Sequence, residues 1–413
     1  MINKPIINLN KLSIMKKSDF SNNKFNLSLN NPLFKILFLA LIFFGTSCKK
    51  DKTTPTHPHP DPDPVENYTV FFGSQNGLFY ALKGTDGTLI WKYEELNADF
   101  TYGYPVYESG VIYATNIAYG LYAFDATTGA VKWKFPAAAK TLSGPTIANG
   151  IVYFGARDHY LYAVDAVTGT LKWKYRTPYN LDSSPTVSNG VVYIGSAAGI
   201  LFAFDAIAGT KIWEYATGNA IIQAKPEVSN GVVFIGNRSG FVRAVDANTG
   251  ILKWSFNAND NISLEYSTII IHSGVLYFGS WHDPDDFNRE GSLYAVKESD
   301  GSLIWTGLVG KGGFRQGPYL ANGVLYASDG GNHLYAVNAT TGEQIWDANT
   351  LVSDSTPTVA FGRIFIGSSD NGDAIGHFTA FDDANGSIIW QFPLPNTILT
   401  SKAIVLAEDG TTY

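Results

Sequence analysis

Few residues of this chain have the types and spacing of a reaction centre. Its one cysteine, Cys48, admits no intrachain disulfide, no Cys-rich zinc site and no covalent c-type haem, which needs two thiols. The His residues are scattered. His57 and His59, with Asp61 and Asp63, sit in a Pro-rich run that cannot hold metal ligands in a fixed geometry. His159, His282, His333 and His377 come from well-separated stretches and read as surface residues. Asp283, Asp285 and Asp286 could present oxygen ligands to Ca²⁺, although their spacing is not that of an EF-hand loop. No Gly-Lys-Ser/Thr phosphate loop, His-Glu-x-x-His or Gly-x-Ser-x-Gly string is present. No catalytic residue can be assigned, no metal or cofactor is expected, and the chain reads as a binding protein rather than an enzyme.

Composition points to β structure. The chain carries 41 Gly, 23 Tyr, 26 Phe and 9 Trp, and only 16% of it is charged. Aromatic and β-branched side chains suit a pleated surface packed on both faces, and Gly marks turns. The net charge of −7 is spread along the chain, with no Lys/Arg run in the region rich in aromatics. The electrostatic footprint of a nucleic-acid binder is therefore missing.

The N-terminus reads as an address. Ile36 to Phe44 (ILFLALIFF) follows Lys16, Lys17 and Lys35, and is too short to span a bilayer. It fits the apolar core of a signal peptide. Gly45-Thr46-Ser47-Cys48 resembles a bacterial lipobox. That resemblance implies a signal peptide over residues 1–47, with Met15 a candidate start, and a lipidated N-terminus at Cys48. Lys49 stands where Asp would retain a lipoprotein at the inner membrane, so the expected address is the outer membrane, facing either periplasm or surface. Residues 48–67 would be a tether, Pro-rich from Thr53, extended and semi-rigid.

The rest of the chain, 68–413, is a repeat. Trp91, Trp133, Trp173, Trp213, Trp254, Trp305, Trp346 and Trp390 each follow a Gly by four positions, and each Gly follows an Ala by six. A clean unit, SSPTVSNG-VVYIGSAAG-ILFAFDAIAG-TKIWEYATG over residues 183–218, holds four short apolar runs between Gly-containing turns. It predicts a four-stranded antiparallel meander, strands A to D. Asn-Gly at the A–B turn is the strongest short hairpin signal. An Asp at the C–D turn should bond turn N–H groups. Such a sheet is apolar on both faces and needs neighbours. The Trp residues should dock between blades, and the small Ala should leave room for the adjacent blade. The first copy lacks strand A, while Thr400 to Val405 reads as a strand A with nothing after it. The expectation is an all-β, eight-bladed β-propeller of four-stranded antiparallel blades, closed by its C-terminal strand.

The Ala-x-Asp-x-x-Thr-Gly-x-x-x-Trp string resembles the tryptophan-docking repeat of the pyrroloquinoline-quinone (PQQ) propeller superfamily, over the whole of 68–413. One branch, the PQQ-dependent alcohol dehydrogenases, implies a vicinal Cys pair, PQQ and Ca²⁺; the propeller region has no Cys. The other branch, the BamB-type lipoproteins of outer-membrane β-barrel assembly, implies a lipid anchor and a scaffold without cofactor. Cys48, the tether and the compact repeats match that plan.

Residues that break the repeat are where a ligand or partner could be read. Those just before strand A should line the channel mouth: Tyr102, Asp182, Gln223, Lys225, Tyr266, Arg315, Gln316, Asp354 and Lys402. Two B–C loops are long, 281–290 and 370–377, and Trp281 stands outside the docking register as an exposed anchor. The leading expectation is a monomeric, lipid-anchored envelope scaffold that binds envelope proteins, among them a β-barrel assembly complex. A quinoprotein dehydrogenase with a reduced site and a glycan-binding surface lipoprotein are the alternatives.

Overall fold

Seven of the eight blades start from a tight hairpin whose two turn residues both take positive φ. Asn149 and Gly150 lie at 52° and 71°, Asn189 and Gly190 at 50° and 76°. That geometry matches the twist of the strands it joins. Strand C then leads into a turn where the Asp carboxylate accepts backbone N–H groups. Asp165 Oδ1 takes those of Val167 and Thr168 at 3.1 and 2.9 Å. The Thr168 N–H, seconded by Lys172 and the Thr168 hydroxyl, holds this carboxyl down at about 2.

These elements form eight four-stranded sheets in a computed structural model that describes residues 67–413 apart from 97, 222–223, 259–261, 265, 283–289, 350–354, 370–374 and 396–399. The expected signal peptide, Cys48 and the tether up to residue 66 lie outside the described residues. So do Gln223, Asp354, Asp283, Asp285 and Asp286. Blade 4 is representative: A is Thr186–Ser188, B Val191–Gly195, C Ile200–Asp205 and D Lys211–Ala216. Blades 6 and 8 have lengthened C and D strands, reaching Glu290–Lys297 with Leu303–Lys311, and Ile375–Asp382 with Ile388–Pro395.

Blade 1 takes its strand A from the far end of the chain. Ile404–Ala407 pairs antiparallel with Tyr68–Gly73, in register Tyr68 to Ala407 and Val70 to Val405. The closing strand starts four residues later than the sequence suggests. Thr400 to Ala403 instead forms the entry segment, where Ser401 Oγ accepts the Gly73 N–H at 2.9 Å. After a turn, Thr411 and Tyr413 fold back on Ala407 and Val405.

The repeated residues hold the blades to one another. Every docking Trp donates its indole N–H to a carbonyl of the next blade at 2.9–3.1 Å, and Trp390 closes the ring on Gly84. The invariant Ala lies between a strand-B aromatic and that Trp, as in Tyr153–Ala163–Trp173. Its methyl lets the two rings approach to 5.6–6.1 Å in all eight blades. The room it makes is thus used first within its own blade. The Gly has two reasons to be Gly: φ of 69–75°, and a Trp of the preceding blade only 2.5–2.8 Å from where a Cβ would sit.

Candidate functional site

In a meander of this order the D-to-A segments and the B–C turns share one face, and hydrogen bonds such as Ile221 N–H to Ser196 O join them. Each segment enters the channel in a common register, as in Asp182-Ser183-Ser184-Pro185. At its second position Ser143, Ser183, Ser267 and Ser401 accept the N–H of the Gly that ends strand B, at 2.9–3.3 Å. This bond fixes the residues on either side of it. Apart from Gln316, which holds the second position in blade 7, the described members of the set expected at the mouth accordingly divide into two levels.

First-position residues form the rim. Arg157, from the blade 3 B–C turn, makes a bidentate pair with the buried Asp182 carboxylate at 2.9–3.2 Å. The Asp182 hydrogen bonds raise the guanidinium pKa further, and Tyr266 and Tyr102 stand close enough to add to that. Arg315 lies over the Trp281 ring, 4.7 Å from its centroid, and Tyr266 packs on the same ring at 5.4 Å. Trp281 is therefore not the exposed anchor expected of it. It is 3% exposed, in a short strand paired with Ile262–Ser263, and its indole N–H has no partner among the described residues. The ring was placed by its loop position alone, and its packing on Arg315 and Tyr266 was not legible there.

Third-position residues lie inside. Lys402, Tyr104, Ser184, Lys225, Thr268 and Thr356 line a cavity of about 420 Å³ that runs along the A strands past Glu227, Ile270 and Ile404 to Tyr413. Lys225 and Lys402 thus sit within the channel rather than at its mouth. Tyr104 reaches from blade 2 to blades 7 and 8, donating to Gln316 Oε1 at 2.8 Å and standing 3.3 Å from Thr356 Oγ1. Its burial pushes the phenol pKa up. Lys225 pairs with Glu227 at 3.4 Å. Lys402 Nζ lies over the Tyr319 ring at 5.3 Å, and desolvation, with the Lys225 charge second, lowers its pKa to about 8.

The sequence reading missed Arg157, Tyr104, Glu227 and Tyr319. Arg157 was findable from the pairing of B–C turns with entry segments. The other three follow from period-two alternation along each entry segment, which puts positions three and five on the channel side. Among the described residues, no group of three or more His, Asp or Glu is placed to hold a metal ion.

This ring of docked four-stranded blades around a polar channel defines an eight-bladed propeller of the PQQ-repeat type. The chain belongs to the family described as outer membrane protein assembly factor BamB, whose model matches residues 75–220, 178–281 and 289–412. Among solved structures, BamB from Moraxella catarrhalis is similar in fold, with a TM-score of 0.61 and 18% identity, over 77% of this chain and 95% of that one. Two curated relatives match locally. A tetrathionate hydrolase of Acidithiobacillus ferrooxidans is 27% identical over 122 residues, 29% of this chain and 23% of that protein. The dehydrogenase subunit of a quinone alcohol dehydrogenase of Komagataeibacter europaeus is 29% identical over 123 residues, 24% of this chain and 17% of that protein. The chain thus spans about a fifth of the length of these curated relatives.

Proposed function

We propose that this propeller is a non-enzymatic, lipid-anchored scaffold of the cell envelope that binds envelope proteins, in the manner of an outer-membrane β-barrel assembly factor. The observation that carries the reading is the extent of the likeness: the family model for the assembly factor matches most of the propeller, and the fold covers 95% of a BamB structure against 69% of a quinohaemoprotein alcohol dehydrogenase structure. The repeated residues are spent on blade docking, which leaves the variable rim of Tyr102, Asp182, Tyr266 and Arg315 as the recognition face. Cys48 supplies the anchor. Two experiments test this. Cys48→Ala should move the protein from the membrane fraction to the soluble one. Cross-linked wild type should capture β-barrel assembly components from envelope extract, and rim variants should not. Capture of none by the wild type would overturn the scaffold role.

The local identity to a quinone dehydrogenase favours one second reading, a quinoprotein with a reduced site. Reconstitution with PQQ and Ca²⁺ followed by a dye-linked alcohol assay decides it, since cofactor-dependent turnover would displace the scaffold.

A further inference from the structure

The entry-segment position that lines the channel carries two lysines, and they stand on opposite sides of the ring. Lys402 leads into strand A of blade 1 and Lys225 into strand A of blade 5, four blades away in a ring of eight. Both line the same cavity. Only one side-chain carboxylate, Glu227, is among its lining residues, and it is engaged by Lys225. Lys402 meets the Tyr319 ring, with no carboxylate in ion-pair reach among the described residues. Two ammonium groups share one side-chain carboxylate, which Lys225 engages directly and which reaches Lys402 only as a more distant charge, so the pair keeps an excess of positive charge in the cavity. The hydroxyls of Thr268 and Ser184 line the same level and can donate to an anion there. Beyond this level Ile147, Ile270 and Ile404 give the wall an apolar side, beside Thr146 and the paired Glu227. A volume of about 420 Å³ is that of a small-molecule site.

We propose that this cavity binds a small amphipathic organic acid, its carboxylate between Lys402 and Lys225 and its apolar body along Ile147, Ile270 and Ile404. The site goes beyond the scaffold role and does not depend on the identity of any protein partner.

Titration calorimetry of the full chain at pH 7 tests it with three probes: sodium octanoate, 1-octanol and inorganic phosphate. Octanoate should bind once per chain, and at least tenfold more tightly than either other probe. Lys402→Met and Lys225→Met should each weaken octanoate at least tenfold, with far-ultraviolet circular dichroism unchanged. Silence towards octanoate in the wild type would overturn the site. Equal binding of octanol would overturn the role of the lysines, and equal binding of phosphate that of the apolar walls. Lysine variants that bind octanoate as the wild type does would place it elsewhere. None of these outcomes bears on capture of envelope partners, so the two proposals fail separately.

Discussion

Removal of the last 15 residues, Leu399 onward, should open the ring. The deletion strips strand A from blade 1, exposing Tyr68–Phe71 along the edge that Ile404–Ala407 had paired. It also withdraws Ile404 and Val405, both buried. At about 1.5–3 kcal/mol for each such side chain, and about 1 kcal/mol for each strand hydrogen bond, the loss is roughly 6–9 kcal/mol. Folded domains are stable by about 5–15 kcal/mol, so the deletion consumes much of the margin. Melting followed by near-ultraviolet circular dichroism should show a fall of well over ten degrees. A synthetic peptide of residues 399–413, added in excess, should restore part of it by re-forming the edge pairing. Melting within two degrees of the intact chain would refute closure by this strand as a source of stability.

Three further predictions follow from individual contacts. Gly209→Ala puts a Cβ 2.5 Å from the Trp173 ring at a φ of 70° and should cost well over the roughly 1 kcal/mol of Gly190→Ala, whose Cβ meets nothing within 4 Å; urea unfolding of the two variants compares them. Arg157→Ala leaves the buried Asp182 carboxylate without its bidentate partner; because the arginine is itself partly exposed, about 1–2 kcal/mol should be lost, measured in the same way. Lys402 has a folded pKa of about 8, below its ordinary 10.5, so the unfolded chain binds more protons between those values and stability should rise as pH climbs through them. Lys225, Glu227, Tyr104, Tyr319 and Tyr413 face the same cavity. Lys402→Met should flatten that rise and add about 3 kcal/mol at pH 7, where the full penalty otherwise applies; an unchanged pH profile of melting would count against it.

The fold was legible because its information is local and repeated. The Ala, Gly and Trp of one copy sit within eleven residues, and the same register returns eight times. Docking of the Trp between blades was legible as well; what stayed hidden was the part the Gly plays across the blade boundary. Gly209 looks like a turn residue, yet it is also the floor on which Trp173 of the preceding blade rests. The site was legible only as a set of variable positions, because its contacts join residues far apart in the chain. Tyr104 meets Gln316 across the channel, and Lys402 is set against Lys225 by the count of blades between them. Trp281 shows the opposite case, where a residue outside the repeat register looked available and is instead packed under Arg315 and Tyr266. A break in the repeat therefore marks where the ring is not spent on holding itself together. Whether such a residue faces a ligand depends on alternation along the entry segment, and in this chain that alternation selects the two lysines.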